Sequence, residues 1–145
     1  MLLGEFTHTI DDKGRLIMPA KLRNDLGESF VICNGLEGCL FVYSTVEWNN
    51  FVEKLNTLPS MNKDARIFKR YFFGSASEGT FDKQGRVSVS PSLRKAAHLE
   101  KDVVLVGVQD RVEIWDKALW EERSMVSEED LDAIAERMEA IGIRI

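Results

Sequence analysis

The side chains that could do chemistry in this chain of 145 residues gather in one short pattern that occurs twice. Asp11-Asp12-Lys13-Gly14-Arg15 opens the first occurrence and Asp82-Lys83-Gln84-Gly85-Arg86 the second. In each, the leading aspartate can accept backbone N–H groups of a tight turn, and the glycine tolerates positive φ. An arginine that begins the strand after such a turn presents a planar fork of donors, able to lie across phosphates or to reach guanine edges. Arg15 and Arg86 could equally pair with Asp11 and Asp82 and close the hairpin, and the two roles are compatible. More bases follow without an intervening acid: Lys21 and Arg23 after Lys13 and Arg15, then Arg94 and Lys95 after Lys83 and Arg86. The four lysines are candidates for phosphate contacts. Arg23 and Arg94 read either as helix-surface charges or as further contacts of the same kind.

Other chemistry is poorly supplied. Cys33 and Cys39 lie among apolar residues at a spacing that fits no common zinc pattern, and only His8 and His98 could assist them. They read as reduced, buried small hydrophobes, so neither a metal nor another cofactor is expected. His8 shares a strand side with Phe6 and Ile10, the position of a packed histidine, and His98 ends a helix. Asp11 and Asp12 are consecutive, so their carboxylates diverge and make a poor acid–base pair. With no phosphate-binding glycine loop, dinucleotide motif or nucleophile elbow in the chain, no enzyme or small-molecule substrate is expected. Lys63, Arg66 and Arg70, with Lys69 beside them, read as a solvated helix face, and Phe68, Tyr71 and Phe72 as core or subunit interface.

The elements that position the doubled motif are themselves doubled. Residues 10–23 align with 81–94 at an offset of 71, with Asp11/Asp82, Gly14/Gly85, Arg15/Arg86, Leu22/Leu93 and Arg23/Arg94 identical. At an offset of 72, Gly35 matches Gly107, Val42 resembles Ile114, Tyr43 matches Trp115 in type and Trp48 matches Trp120. Self-similarity over nearly the whole chain indicates a tandem duplication. Each copy begins with an alternating strand, the Asp-x-x-Gly turn and a second strand from Arg15 or Arg86, which together read as a β-hairpin. A short helix follows. Pro19 suits its first position and Gly27 its end in the first copy; Ser90 caps it and Pro91 starts it in the second. Further strands are expected at 30–33 with 40–43, and at 103–108 with 112–115. Helices then close each copy: one from the Ser44-x-x-Glu47 capping box to before Pro59, one over 61–73, one capped by Asp116, and one opened by Ser127. The boundaries read as repeat 1 over 5–50, connecting helices over 51–75, repeat 2 over 76–120, and a C-terminal amphipathic helix over 121–145.

The chain holds 19 basic and 24 acidic residues, for a net charge of −5, but the charge is uneven. Residues 116–145 carry nine acids and four bases, which leaves residues 1–115 neutral with their bases bunched at the two motifs. A local basic face governs phosphate binding more than total charge does. No apolar run is long enough to span a membrane and no secretory signal is visible, so the cytoplasm is the expected compartment. Val46, Phe51, Leu55 and the stripe Leu131, Ile134, Ala135, Met138 and Ile141 exceed what so small a core needs, and suggest contact with neighbouring subunits.

The Asp-x-x-Gly-Arg turn followed by Pro-x-x-Leu-Arg resembles the swapped-hairpin DNA-binding domain of the AbrB type. Two copies in one chain of this length closely resemble the MraZ family over the whole sequence. The second copy departs from the first in having Ser90 where Pro19 stands, with its proline moved to Pro91. The resemblance implies a β-dominated α+β fold: a double-split, swapped-hairpin β-barrel made of two pseudo-symmetric repeats with helices outside. It implies a bacterial transcriptional regulator, chiefly a repressor, that binds its own promoter in the division and cell-wall gene cluster and associates with the nucleoid. It also implies a ring-shaped homo-oligomer. Neighbours in a ring would present their basic turns in one orientation, so double-stranded promoter DNA with direct repeats is the expected partner. The alternative is a ring-forming protein-interaction scaffold whose basic turns are incidental.

Overall fold

A computed structural model describes residues 1–144. The first copy contributes β1 (Leu2–Thr9), β2 (Arg15–Ile17), α1 (Ala20–Leu26), β3 (Ser29–Asn34), β4 (Leu40–Ser44), α2 (Thr45–Asn56) and α3 (Lys63–Ser75). The second contributes β5 (Ser77–Thr80), β6 (Arg86–Ser88), α4 (Pro91–Ala96), β7 (Asp102–Gln109), β8 (Val112–Asp116), α5 (Lys117–Ser124) and α6 (Glu128–Ala140). The mixed α+β, strand-rich class and the duplication are both present, and each copy ends in two helices. The caps follow the residues that supply them: the side chains of Ser44, Ser90, Asp116 and Ser127 each accept a backbone N–H three residues on. Pro19 is the residue before α1 and not its first, so that cap has no side-chain hydrogen bond.

The strands pair across the copies more than within them. Six form an antiparallel sheet in the order β1-β7-β8-β4-β3-β5, and β2 pairs β6 in a separate two-stranded ribbon. Exchanging the copies reverses the sheet order onto itself, so a pseudo-two-fold axis passes between β8 and β4. The local hairpin expected at each turn therefore needs correction. Ile10↔Leu16 is a single isolated bridge, after which β1 leaves to run beside β7 from Leu2↔Gln109 to Thr9↔Asp102. The reason is length: β2 has three residues before Pro19 interrupts it, whereas β7 offers eight. β5 joins β3 in the same exchanged manner. These ladders leave β1 and β5 as sheet edges and do not close the strands into a barrel.

Alternation along the central strands divides two cores. Phe30, Ile32, Leu40, Val42, Val103, Leu105, Val112 and Ile114 face one way, against Leu16 and Met18, Val87 and Val89, and the helix residues Leu22, Leu26 and Leu93. Cys33, Phe41, Tyr43, Val104 and Trp115 face the other way, against Leu55 of α2, Phe72 of α3, and Leu119 and Trp120 of α5. The molecule is thus layered: ribbon with α1 and α4, then the six-stranded sheet, then α2, α3 and α5. Of the residues expected to meet neighbouring subunits, Leu55 is 3% exposed and Phe51 packs beside it, so both serve this chain's own core. Val46, the α6 residues Leu131 and Met138, and Ile141 just beyond that helix remain exposed. Because each copy lends its first strand to the other, residues 1–75 alone should give the circular dichroism of an unfolded chain at low concentration. Strand signal should return on mixing with residues 76–145, or on homodimerisation at high concentration; a folded monomeric half would contradict the exchange.

Candidate nucleic-acid interface

The ribbon is short and its two sides differ in kind. Leu16 and Val87 oppose each other and are buried at 1% and 0% exposure, which turns Arg15, Ile17, Arg86 and Ser88 outward. Arg15 pairs with Ser88 and Ile17 with Arg86, so the two arginines are diagonal neighbours, roughly 7–8 Å apart at the backbone. One turn lies at the start of each strand. Lys13 and Lys83 stand exposed on those turns, and Lys21 and Lys95 are exposed on α1 and α4. All eight basic residues of the two motifs thus belong to the layer that carries the ribbon.

Each turn is organised by its aspartate. Asp11 Oδ1 accepts the backbone N–H groups of Lys13 and Arg15 at 3.0 and 2.9 Å, and its Oδ2 accepts Arg15 Nε at 2.8 Å. Asp82 repeats this with Gln84, Arg86 and Arg86 Nε at 2.9, 2.8 and 2.7 Å. The backbone hydrogen bond from the arginine is the leading reason that both carboxyls titrate below the ordinary value of 3.8, with the guanidinium adding to it. Pairing through Nε fixes each guanidinium plane and leaves the Nη1 and Nη2 donors uncommitted among the hydrogen bonds of the described residues. The arginine–aspartate pair and an outward-facing donor fork therefore coexist.

Arg23 and Arg94 are not freely solvated charges on the helix surface. Both are half-buried, each beneath the turn of the opposite copy. A Cβ on Gly85 would stand 2.7 Å from Arg23 Cζ, and one on Gly14 would stand 2.8 Å from Arg94 Nε. Arg23 Nη1 donates to Met18 O at 2.7 Å, whereas Arg94 Nε is buried with no hydrogen-bond partner among the described residues. The backbone crosses at the same points: Met18 N–H donates to Gly85 O at 3.0 Å and Val89 N–H to Gly14 O at 2.7 Å. Glycine at φ +79 and +74 is required here for its backbone and for its bareness. The signal was available in the sequence as a Gly–Arg spacing of nine residues in both copies, but nothing in it shows which turn each arginine meets.

Sequence reasoning missed Arg111, whose guanidinium lies 4.0 Å over the Phe41 ring and pairs with Glu113 at 3.2 Å and Asp110 at 3.6 Å. It seals the second core, where burial pushes the thiols of Cys33 and Cys39 up to about 12 and keeps them protonated. His8 is half-buried and His98 exposed, Phe72 is core, and Phe68 and Tyr71 are exposed. No group of three potential metal ligands occurs among the described residues, and none of their helices is long and apolar enough to cross a membrane.

Two outcomes follow from this geometry. Gly85→Ala should destabilise through its left-handed backbone, by about 1–2 kcal/mol, and through contact with Arg23. Adding Arg23→Ala should recover the second part in urea unfolding. Gly14→Ala should gain much less from Arg94→Ala, because the Val89 carbonyl oxygen would stand 2.5 Å from the new Cβ and cannot withdraw. For pH, a carboxyl lowered on folding stabilises above its unfolded value and loses that contribution as pH falls through the native one. The thermal midpoint should therefore lose the turn contribution below about pH 4, and Asp11→Asn with Asp82→Asn should flatten that acid limb.

Comparison with known proteins agrees with the doubled architecture. The model of the MraZ protein family matches residues 1–71 and again residues 72–140. The chain is similar to the transcriptional regulator MraZ of Caldanaerobacter subterraneus subsp. tengcongensis, with 52% identity over 99% of this chain and all of that protein. It is similar to those of Thermoanaerobacter sp. and Pediococcus pentosaceus at 51% and 50% identity, each over 99% of this chain and all of the relative. With both halves matched by the family model and full-length relatives sharing half of their residues, this chain belongs to the MraZ family.

Proposed function

We propose that this chain is a transcriptional regulator that binds promoter DNA in a sequence-specific manner through the β2–β6 ribbon. The observation that carries the reading is the pair of outward arginines, Arg15 and Arg86, each aligned by an aspartate with its Nη donors free. The major groove, about 12 Å wide, admits a two-stranded ribbon, and an arginine fork is the commonest reader of guanine O6 and N7. Lys13, Lys21, Lys83 and Lys95 contact phosphates around it, and Arg23 and Arg94 contribute by holding the turns in place. The relatives' name supports a regulator and not an enzyme.

The finer points rest on the family resemblance. The target is the chain's own promoter in the division and cell-wall cluster, repression is the mode of action, and the cytoplasmic protein associates with the nucleoid. The exchanged strands with the ribbon across them are read as the double-split AbrB-like barrel. The exposed stripe of α6 supplies a head-to-tail contact that closes a ring, and the ring reads direct repeats about 10–10.5 bp apart.

Fluorescence anisotropy with the chain's own upstream DNA, against scrambled DNA over a salt series, tests this reading. Affinity should fall steeply with salt, as counterion release requires, and should favour the promoter. Arg15→Ala and Arg86→Ala should each reduce promoter discrimination by ~1–3 kcal/mol while leaving the thermal midpoint nearly unchanged. Equal binding of both DNAs, or arginine variants that melt early yet bind like the parent, would favour the scaffold instead.

A further inference from the structure

The outward face of the ribbon is symmetric in its arginines and asymmetric in its other pair. Arg15 and Arg86 are exchanged by the pseudo-two-fold axis that relates β2 to β6. The same operation exchanges Ile17 with Ser88, which sit 71 residues apart like the arginines. A reader built only from Arg15 and Arg86 would meet a DNA site equally well in either direction. A directed site needs a difference between the two halves. The turns differ in charge, with Asp12 against Lys83 and Lys13 against Gln84; among the outward residues of the strands themselves, where base edges are met, the difference is Ile17 against Ser88.

Ile17 is unusual for its place. It is 46% exposed in a strand whose inward neighbours Leu16 and Met18 are 1% and 0% exposed. It lies directly across from Arg86 and two residues from Arg15 along its own strand. Its side chain contributes nothing to the first core, which Leu16 and Val87 complete beneath it. An apolar group set between two guanine-reading forks would stand at the floor of a major groove occupied by the ribbon. The one apolar feature that base pairs present there is the thymine C5-methyl. Ser88 in the equivalent place offers a hydroxyl, which bonds donors and acceptors alike and does not select that methyl.

We infer that Ile17 is a specificity-determining residue that contacts a thymine methyl, and that its contrast with Ser88 fixes the direction in which the ribbon lies on its site. This rests on the DNA-binding reading above and deepens it. Direction within each reading head is also what direct repeats require, since a head indifferent to direction would accept inverted half-sites.

The test uses the full chain and its own upstream DNA, with each thymine of the protected region replaced in turn by deoxyuridine, which lacks only the methyl. The parent should bind one or more of these substituted sites roughly fourfold more weakly, the value of one buried methyl. Ile17→Ser should bind the unsubstituted promoter more weakly and show no further loss at those positions. Ile17→Val should retain the loss. Because Ile17 is exposed, all variants should keep the parent's thermal midpoint. Insensitivity of the parent to every deoxyuridine, or sensitivity that persists in Ile17→Ser, overturns the assignment of Ile17 while leaving arginine-dependent promoter binding intact. Absence of any promoter preference in the parent overturns both readings together.

Discussion

Two backbone hydrogen bonds, from Val89 to Gly14 and from Met18 to Gly85, tie each copy's turn to the strand end of the other. The three-residue ladder between β2 and β6 lies between them. Remove these crossings and each turn keeps only its local aspartate-centred hydrogen bonds, since the first copy's own hairpin closes through the single bridge Ile10↔Leu16. The large side chains Leu16 and Val87 reach the first core only while the ribbon lies over it. A Cβ at Gly14 would run into the Val89 carbonyl and the Arg94 side chain, and one at Gly85 would have to displace the Arg23 guanidinium. The constraint is mutual: each half supplies the surface on which the other half folds. A fold of this kind suits a duplicated chain, where the partner copy is always present at high effective concentration.

This mutual support fixes what the ribbon shows to the outside. An isolated two-stranded ribbon is marginally stable in water, and one of three residues per strand would not persist. Held at both ends by cross-copy bonds and beneath by the core, it becomes a rigid mount. The arginines then need only their rotamers set, which Asp11 and Asp82 do through Nε. Preorganised donors lose less entropy on binding than free side chains do. The ion pair and the proposed DNA contact are thus compatible uses of one guanidinium, the first at Nε and the second at Nη.

Much of this was legible in the sequence because duplication prints each important residue twice. The aspartates, glycines and arginines of the turns stood out by recurrence, and the caps by residue type. The exchange of strands did not stand out, since Phe6, His8 and Ile10 alternate equally well for a local partner as for β7. Choosing between them needed the lengths of the competing ladders. Arg23 and Arg94 read as surface charges or further DNA contacts, and their place beneath the opposite turns is hidden, because helical spacing records the face of a helix and not the loop that covers it. Phe51 and Leu55 were assigned outward for a related reason: the second core that claims them is assembled from β4, α3 and β8, far apart in sequence. The exposure of Ile17 is not legible either, for periodicity cannot say that β2 has one face in water.

The layering also resolves how an acidic chain can carry a basic face. The two segments that form the ribbon layer, residues 11–26 and 82–97, hold eight bases and four acids, a balance of +4 against −5 for the chain. Two of those acids, Asp11 and Asp82, are spent within the turns. The acid-rich stretch begins at Asp116 and enters α5, which packs on the second core across the six-stranded sheet. Charges on opposite sides of a sheet with helices on both faces are separated by about 20 Å, since each packed layer adds roughly 10 Å. That exceeds the screening length of ~8 Å at physiological salt, so the acids of α5 scarcely weaken the field at Arg15 and Arg86. Net charge then reports on solubility and self-avoidance, while the two layers report on what each side can meet.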